Sequence, residues 1–123
     1  MTDDFWPSNI ADSQMTTPVL ILKQQAALLG EKTRNLVQGE VLTQVLGNMF
    51  VHHFYLSAPT LNYKYELFQI SHGISFYPLS LRLSNQEGSS LADEEQFKER
   101  LKTIFSSPHT LNVVHSILAQ VRA

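Results

Sequence analysis

The chain has 123 residues, of which 43% are hydrophobic and 10% are aromatic, so it is long and apolar enough to form one domain with a substantial core. Charged residues make up only 16% of it, whereas an average soluble domain carries about 25%. Because few charges are available to cover the exterior, we expect a second copy of the chain or another protein to cover part of it.

Charge and composition also exclude several classes of function. The formal net charge is −2 and the 9 Lys and Arg residues are spread singly, which argues against binding to nucleic acid or to an anionic membrane. The chain has no cysteine, so disulfides, thiolate metal sites and cysteine nucleophiles are excluded. The acidic start is unlike a signal peptide, and no apolar run approaches the ~20 residues of a membrane span. A cytoplasmic protein is therefore expected.

Residues 1–16 show no hydrophobic period, and Phe5, Trp6 and Pro7 form their bulky apolar cluster. We interpret this segment as a tail or arm that precedes a single domain over residues 17–123. An exposed Trp6 on such an arm is a suitable anchor for a groove on another molecule. The arm could equally fold back onto its own domain or onto a second copy of the chain.

A first helix is predicted from Pro18, because the preceding threonine can cap a helix and proline is tolerated in the first turn. Apolar residues then recur at three- and four-residue spacing, and Leu20, Ile21 and Leu28 widen the stripe beyond one face. This helix is therefore expected to be nearly enclosed, with Gly39 as its C-terminal stop.

Three or four antiparallel strands are predicted after the helix. Residues 41–46 form either a weak strand or the last turns of the helix. Residues 50–57 and 61–67 each alternate apolar and polar side chains with a period of two, which indicates half-buried strands.

A turn at residues 71–73 predicts a hairpin between the preceding strand and residues 74–83. Both strands change apolar parity beside this turn, which indicates either a β-bulge or burial on two sides. Pro78 has no N–H to donate, so the last strand is expected to be an edge of the sheet or to carry a bulge there. Such an edge can recruit a partner.

Two helices close the chain. Asp93 is a predicted N-cap with Gln96 completing a capping box, and Ser107 followed by Pro108 starts the last helix. The fold class is therefore α+β. We expect a two-layer sandwich of an N-terminal helix and two C-terminal helices against a three- or four-stranded antiparallel sheet.

The order of helix, antiparallel strands and helix resembles that of double-stranded-RNA-binding domains. That family holds phosphates with lysines at the start of the helix that follows the strands. This chain has Asp93, Glu94 and Glu95 at that point, so the resemblance is one of topology and no nucleic acid is expected as a partner.

Histidines and tyrosines on the strands are the candidate ligand-binding residues. His52 and His53 are adjacent and must point to opposite faces of a strand, so one of them could pair with His72 across the sheet, but both cannot ligate one metal. Neither a metal nor another cofactor is therefore expected. Strand tyrosines could line a pocket or could simply pack in the core. The candidates are His52, His53, Tyr63, Tyr65, His72 and Tyr77.

Two hypotheses of function follow. The leading one is a non-catalytic interaction module of the adaptor, regulatory or immunity type, which binds itself as a homodimer or binds another protein. Its expected contacts are Leu20, Ile21 and Leu28 on the first helix, the sheet edge near Pro78, and Trp6. The alternative is a small-molecule binding domain, conceivably an enzyme, although the sequence contains no recognisable catalytic motif.

Overall fold

The computed structural model describes residues 2–84 and 86–123, and it shows an α+β protein with three helices and a five-stranded antiparallel sheet in that part of the chain. Residues 2–17 form neither helix nor strand and are almost entirely exposed. The elements are α1 Pro18–Lys32, β1 Gln38–Leu46, β2 Met49–Ala58, β3 Tyr63–His72, β4 Leu79–Leu83, β5 Ser89–Leu91, α2 Glu94–Phe105 and α3 Pro108–Val121, with a short 3-10 turn Pro59–Leu61 between β2 and β3.

The sheet is a simple meander in the order β1-β2-β3-β4-β5, so β1 and β5 are its two edges. One face of the sheet and the buried sides of all three helices form a single hydrophobic core. At its centre, the rings of Phe54 and Phe68 stack at 5.2 Å and Phe105 of α2 lies against both. None of the described helices is both long and apolar enough to cross a membrane. The expected cytoplasmic location stays a prediction.

Helix α1 begins as its sequence predicts but ends earlier. The hydroxyl of Thr17 accepts a hydrogen bond from the N–H of Leu20 at 3.1 Å, which caps the first turn. The helix ends at Lys32 because Arg34 and Asn35 adopt left-handed backbone angles, with φ of 53° and 64°. The prediction that Gly39 stops the helix was wrong.

Gly39 lies instead in β1, where the absence of a side chain has a packing role. A Cβ atom at Gly39 would lie 2.6 Å from both the Cα and the Cβ of Ala26 in α1, and 3.2 Å from the ring of Phe54. Only glycine therefore allows α1 to approach β1 this closely.

Strands β2 and β3 form where the alternation of the sequence predicts strands, and β1 settles the ambiguity of residues 41–46. Residues 41–46 belong to a strand, and β1 pairs with β2 in one unbroken register from Gln38↔Ser57 to Leu46↔Met49. Between β2 and β3 the register passes from Phe54↔Phe68 to Tyr55↔Glu66, which leaves Leu67 as an extra residue. A β-bulge therefore accounts for the change of apolar parity in β3.

The end of the sheet differs from the prediction. Strand β4 begins at Leu79, so Pro78 precedes the strand and is joined to Tyr77 by a cis peptide bond. Strand β5 pairs with β4 through Leu79↔Leu91 and Ser80↔Ser90. The sheet therefore has five strands rather than three or four, and the expected edge near Pro78 was wrong because β5 covers the outer side of β4.

The helices α2 and α3 start at the predicted caps. The carboxylate of Asp93 accepts from the N–H of Gln96 at 2.9 Å, and the Gln96 side chain accepts from the N–H of Ala92 at 2.9 Å. At the next junction, the hydroxyl of Ser107 accepts from the N–H of Thr110 at 3.2 Å. Each cap satisfies a backbone donor that the helix itself leaves without a partner.

Candidate functional site

Two histidines meet in the core at the end of the sheet where β2 begins and β3 ends. The Nε2 atoms of His52 and His72 lie 3.1 Å apart, and both residues are at least 95% buried. The Nδ1 atom of His52 lies 2.8 Å from the hydroxyl of Thr43 in β1, and the Nδ1 atom of His72 lies 2.7 Å from the carbonyl oxygen of Gly73. A continuous hydrogen-bonded chain thus crosses three strands.

The direction of every bond in this chain follows from its last acceptor. Because the carbonyl of Gly73 can only accept, His72 donates from Nδ1 and, as a neutral ring, accepts at Nε2. His52 then donates from Nε2 and accepts at Nδ1 from the hydroxyl of Thr43. All four ring nitrogens are satisfied with both rings uncharged, which is what burial of polar groups requires.

Burial favours the neutral form of His52. The pKa of His52 is lowered from 6.5 to about 4, first by burial and then by the neighbouring charges that His72, Lys23 and His53 can carry. The ring of Phe50 stacks on His72 with 5.6 Å between centroids. A ring enclosed and fully hydrogen-bonded in this way has no open side to offer a substrate, so the arrangement favours a structural role.

His53 lies on the opposite face of the sheet, as the alternation requires. Its Nδ1 atom is 2.6 Å from a carboxylate oxygen of Glu66, and its Nε2 atom is 3.1 Å from the amide oxygen of Gln44. His52 is therefore the histidine that reaches His72, and His53 belongs to a separate, partly exposed cluster across β1, β2 and β3.

The three candidate tyrosines point to three different places. Tyr63 is 46% exposed near the start of β3. The hydroxyl of Tyr65 lies 2.9 Å from Nε2 of His109 in α3. The Tyr77 hydroxyl is buried and has no hydrogen-bond partner among the described residues. Burial, with Glu94 and Asp93 nearby, raises the pKa of Tyr77 to about 12. The six candidates thus do not form one pocket, and they give little support to a ligand site.

The predicted contact residues also separate. Leu20 and Leu28 are 43% and 44% exposed on α1, and Trp6 stands exposed on the arm. Ile21 belongs to the core and is only 5% exposed, so it offers a partner much less surface than Leu20 and Leu28 do. Its side chain lies on the side of α1 that faces the sheet.

The edge strand β1 is the feature that sequence reasoning missed as a site. It is nine residues long and contains no lysine and no proline, and its one charged residue, Glu40, pairs with Lys64 of β3 at 3.4 Å. Natural edge strands are usually protected from unwanted pairing by shortness, lysine, proline or a bulge. Large apolar side chains nevertheless stand exposed on it and at its hairpin: Leu42, Val45, Leu46 and Met49.

The hairpin geometry shows which backbone groups of β1 face outward. Gly47 and Asn48 form a two-residue loop, so the flanking pair Leu46↔Met49 is hydrogen-bonded, and such pairs recur at every second residue. The even-numbered residues of β1 therefore bond to β2. The N–H and C=O groups of the odd-numbered residues point away from β2: Gly39, Val41, Thr43 and Val45. Within residues 2–84 and 86–123, no other strand pairs with that side.

The ambiguity of residues 41–46 in the sequence was the signal that could have led to this edge. These residues show a weak strand pattern because their apolar side chains lie on both faces. Both faces of such a strand are available for contact.

Comparisons with models of protein families, with curated proteins and with solved structures found no match for this chain. The described residues contain no group of three or more histidine or carboxylate side chains arranged to hold a metal ion.

Proposed function

We propose that this protein is an interaction module that binds an extended protein segment by adding it to the β1 edge of the sheet. The observation that carries the proposal is the nine-residue edge with outward N–H and C=O groups and without a lysine, a proline or a β-bulge. Strand addition obtains its affinity from main-chain hydrogen bonds and its specificity from alternate side chains. The exposed Leu42 and Val45 supply side-chain contacts on the two faces.

The low charge of the chain supports the same proposal, since 16% charged residues is well below the roughly 25% of an average soluble domain, and fewer charges must lose their hydration when a partner covers the surface. The alternative of a small-molecule binding domain has less support, because the candidate histidines and tyrosines are spread over both faces of the sheet.

The test uses Val45→Pro, which removes one outward N–H while the inward ladder stays intact, and Val45→Thr as the matched control that keeps both the N–H and the β-branched shape of the side chain. Tagged versions of the chain are recovered from cells that produce the untagged protein, and the retained chains are identified by mass spectrometry. We expect the wild type and Val45→Thr to retain a partner, including an untagged copy if that is the partner, and Val45→Pro to lose it. Equal retention by all three would overturn the proposal, as would the absence of any retained chain.

A further inference from the structure

The β1 edges of two copies of the chain are complementary to each other. We propose that its partner is a second copy of the chain, joined by antiparallel β1–β1 pairing about a two-fold axis through Leu42, so that the two sheets continue into one. The inference rests on the proposed function and names the occupant of that same edge.

The register follows from the length of the strand and from its outward groups. Leu42 is the midpoint of Gln38–Leu46, so an axis there pairs the whole strand. Outward-facing residues then oppose outward-facing residues, Gly39 with the partner's Val45 and Val41 with the partner's Thr43. Each such pair exchanges two N–H···O bonds, as an antiparallel ladder requires.

This register places an exposed side chain of one copy beside a surface depression of the other. Four of the eight residues that line an open depression between α1 and β1 are small, namely Ala26, Ala27, Gly30 and Gly39, and the others are Lys23, Asn35, Gln38 and Val41. Val45 is on the same face of the sheet as Thr43, whose hydroxyl reaches the core histidine, yet it is 61% exposed. Opposite Gly39, the Val45 side chain of each copy enters the depression of the other, which is the reciprocal contact of a two-fold interface.

On the other face of the joined sheet, the side chains of the two copies also make favourable contacts. Leu42 meets the partner's Leu42 in a pair without direct hydrogen bonds, where side chains approach most closely. Leu42 is 46% exposed in a single copy, so this contact removes apolar surface from water. Glu40 faces the partner's Gln44 rather than the partner's Glu40, so no like charges oppose each other and the Glu40–Lys64 pair is kept.

The self-opposed position of Leu42 allows a charge-exchange test by sedimentation equilibrium. We expect the wild-type chain to dimerise in the micromolar range. Leu42→Lys and Leu42→Glu should each weaken self-association roughly ten- to a hundredfold, because like charges then face each other. An equimolar mixture of the two variants should restore a mixed dimer. Ser90→Lys and Ser90→Glu on β5 serve as controls and should leave dimerisation unchanged.

A second variant tests the depression between α1 and β1. Ala27→Leu is a good helix former at an exposed position of α1, so the fold should be retained while the depression is filled. We expect dimerisation to weaken about tenfold, with an unchanged circular dichroism spectrum.

The inference is overturned if the wild type stays monomeric, if the Leu42 variants and Ala27→Leu dimerise like the wild type, or if the mixture of Lys and Glu variants remains monomeric. None of these results removes the proposed function, which fails if Val45→Pro keeps every partner that the wild type retains from cells, or if the wild type retains no chain at all.

Discussion

The two edges of the sheet are built in opposite ways. Strand β5 has three residues, two of them serines, and α2 begins at Glu94 shortly after it and packs against it. Strand β1 has nine residues and presents apolar side chains on both faces. Shortness is a common protection against edge-to-edge pairing. The difference indicates that this fold closes one edge and keeps the other available.

Strand β1 is also firmly attached on its inner side. Gly39 lets α1 seat directly on the strand, and the hydroxyl of Thr43 joins it to the buried histidine pair. An edge held in place loses little conformational freedom when a partner strand is added, which favours affinity. The predictions below test the attachment and the outward side of β1 separately.

The largest expected effect comes from Gly39→Val. A side chain here would collide with the backbone of Ala26 at 2.6 Å, so α1 would have to move away from β1. We expect the free energy of unfolding to fall by about 3 kcal/mol or more, measured by denaturant unfolding. Gly73→Ala is the matched control, because a Cβ there meets no atom within 4 Å. Equal stability of both variants would show that the close approach of α1 is not needed.

The second expected effect is a loss of stability in acid through His52. Its folded pKa of about 4 is below the unfolded value of 6.5, so the unfolded chain takes up the proton first. The contribution of neutral His52 to the free energy of unfolding is complete above pH 6.5 and is lost as the pH falls from 6.5 through 4. Its upper limit is on the order of 3 kcal/mol.

Denaturant unfolding of the wild type and of His52→Gln at pH 7, 5.5 and 4 measures this contribution, since glutamine can donate to His72 without titrating. The wild type should lose more stability than the variant between pH 7 and pH 4. Parallel curves would contradict the neutral, buried state of His52.

A pair of proline variants at neighbouring positions tests the orientation of the ladder. Gln44→Pro removes an N–H that bonds to β2, and should cost about 2 kcal/mol. Val45→Pro removes an outward N–H from a strand edge, and should cost less than about 1 kcal/mol. Thermal unfolding of the two variants compares them. A larger loss in Val45→Pro would reverse the assignment of inward and outward groups.

The smallest expected effect is in amide hydrogen exchange. In dilute protein the N–H groups of Val41, Thr43 and Val45 should exchange quickly, because they face away from β2. They should become protected as the protein concentration rises and strands pair. The amides of Ser89, Ser90 and Leu91 in β5 should not respond to concentration. Equal behaviour at the two edges would remove the distinction between them.

Much of the fold was predictable because its signals are local. The helix caps at Thr17, Asp93 and Ser107 depend on side chains within three residues of the helix start, and all three are present. The end of α1 was not predictable in the same way, since Asn35 turns the chain without the glycine that usually marks such a point. Strand β5 is too short to show a period.

The candidate sites were less predictable because they depend on long-range contacts. Alternation places His52 and His53 on opposite faces, but it does not say which of the two lies near His72. That choice depends on which face the helices cover. The role of Gly39 was unpredictable for the same reason, since it depends on the close approach of Ala26 in α1 rather than on the neighbours of Gly39 in the chain.

The histidine pair also helps to select the register between β1 and β2. The sequence of β1 repeats a valine–leucine step, Val41-Leu42 and Val45-Leu46, so sliding the strand by four residues along β2 would keep the same apolar pattern on each face. Such a slide would put Gly39 or Gly47 opposite His52 in place of Thr43. A glycine offers no hydroxyl, and the buried imidazole would lose its donor. The two histidines therefore discriminate between alignments that hydrophobic packing alone would accept.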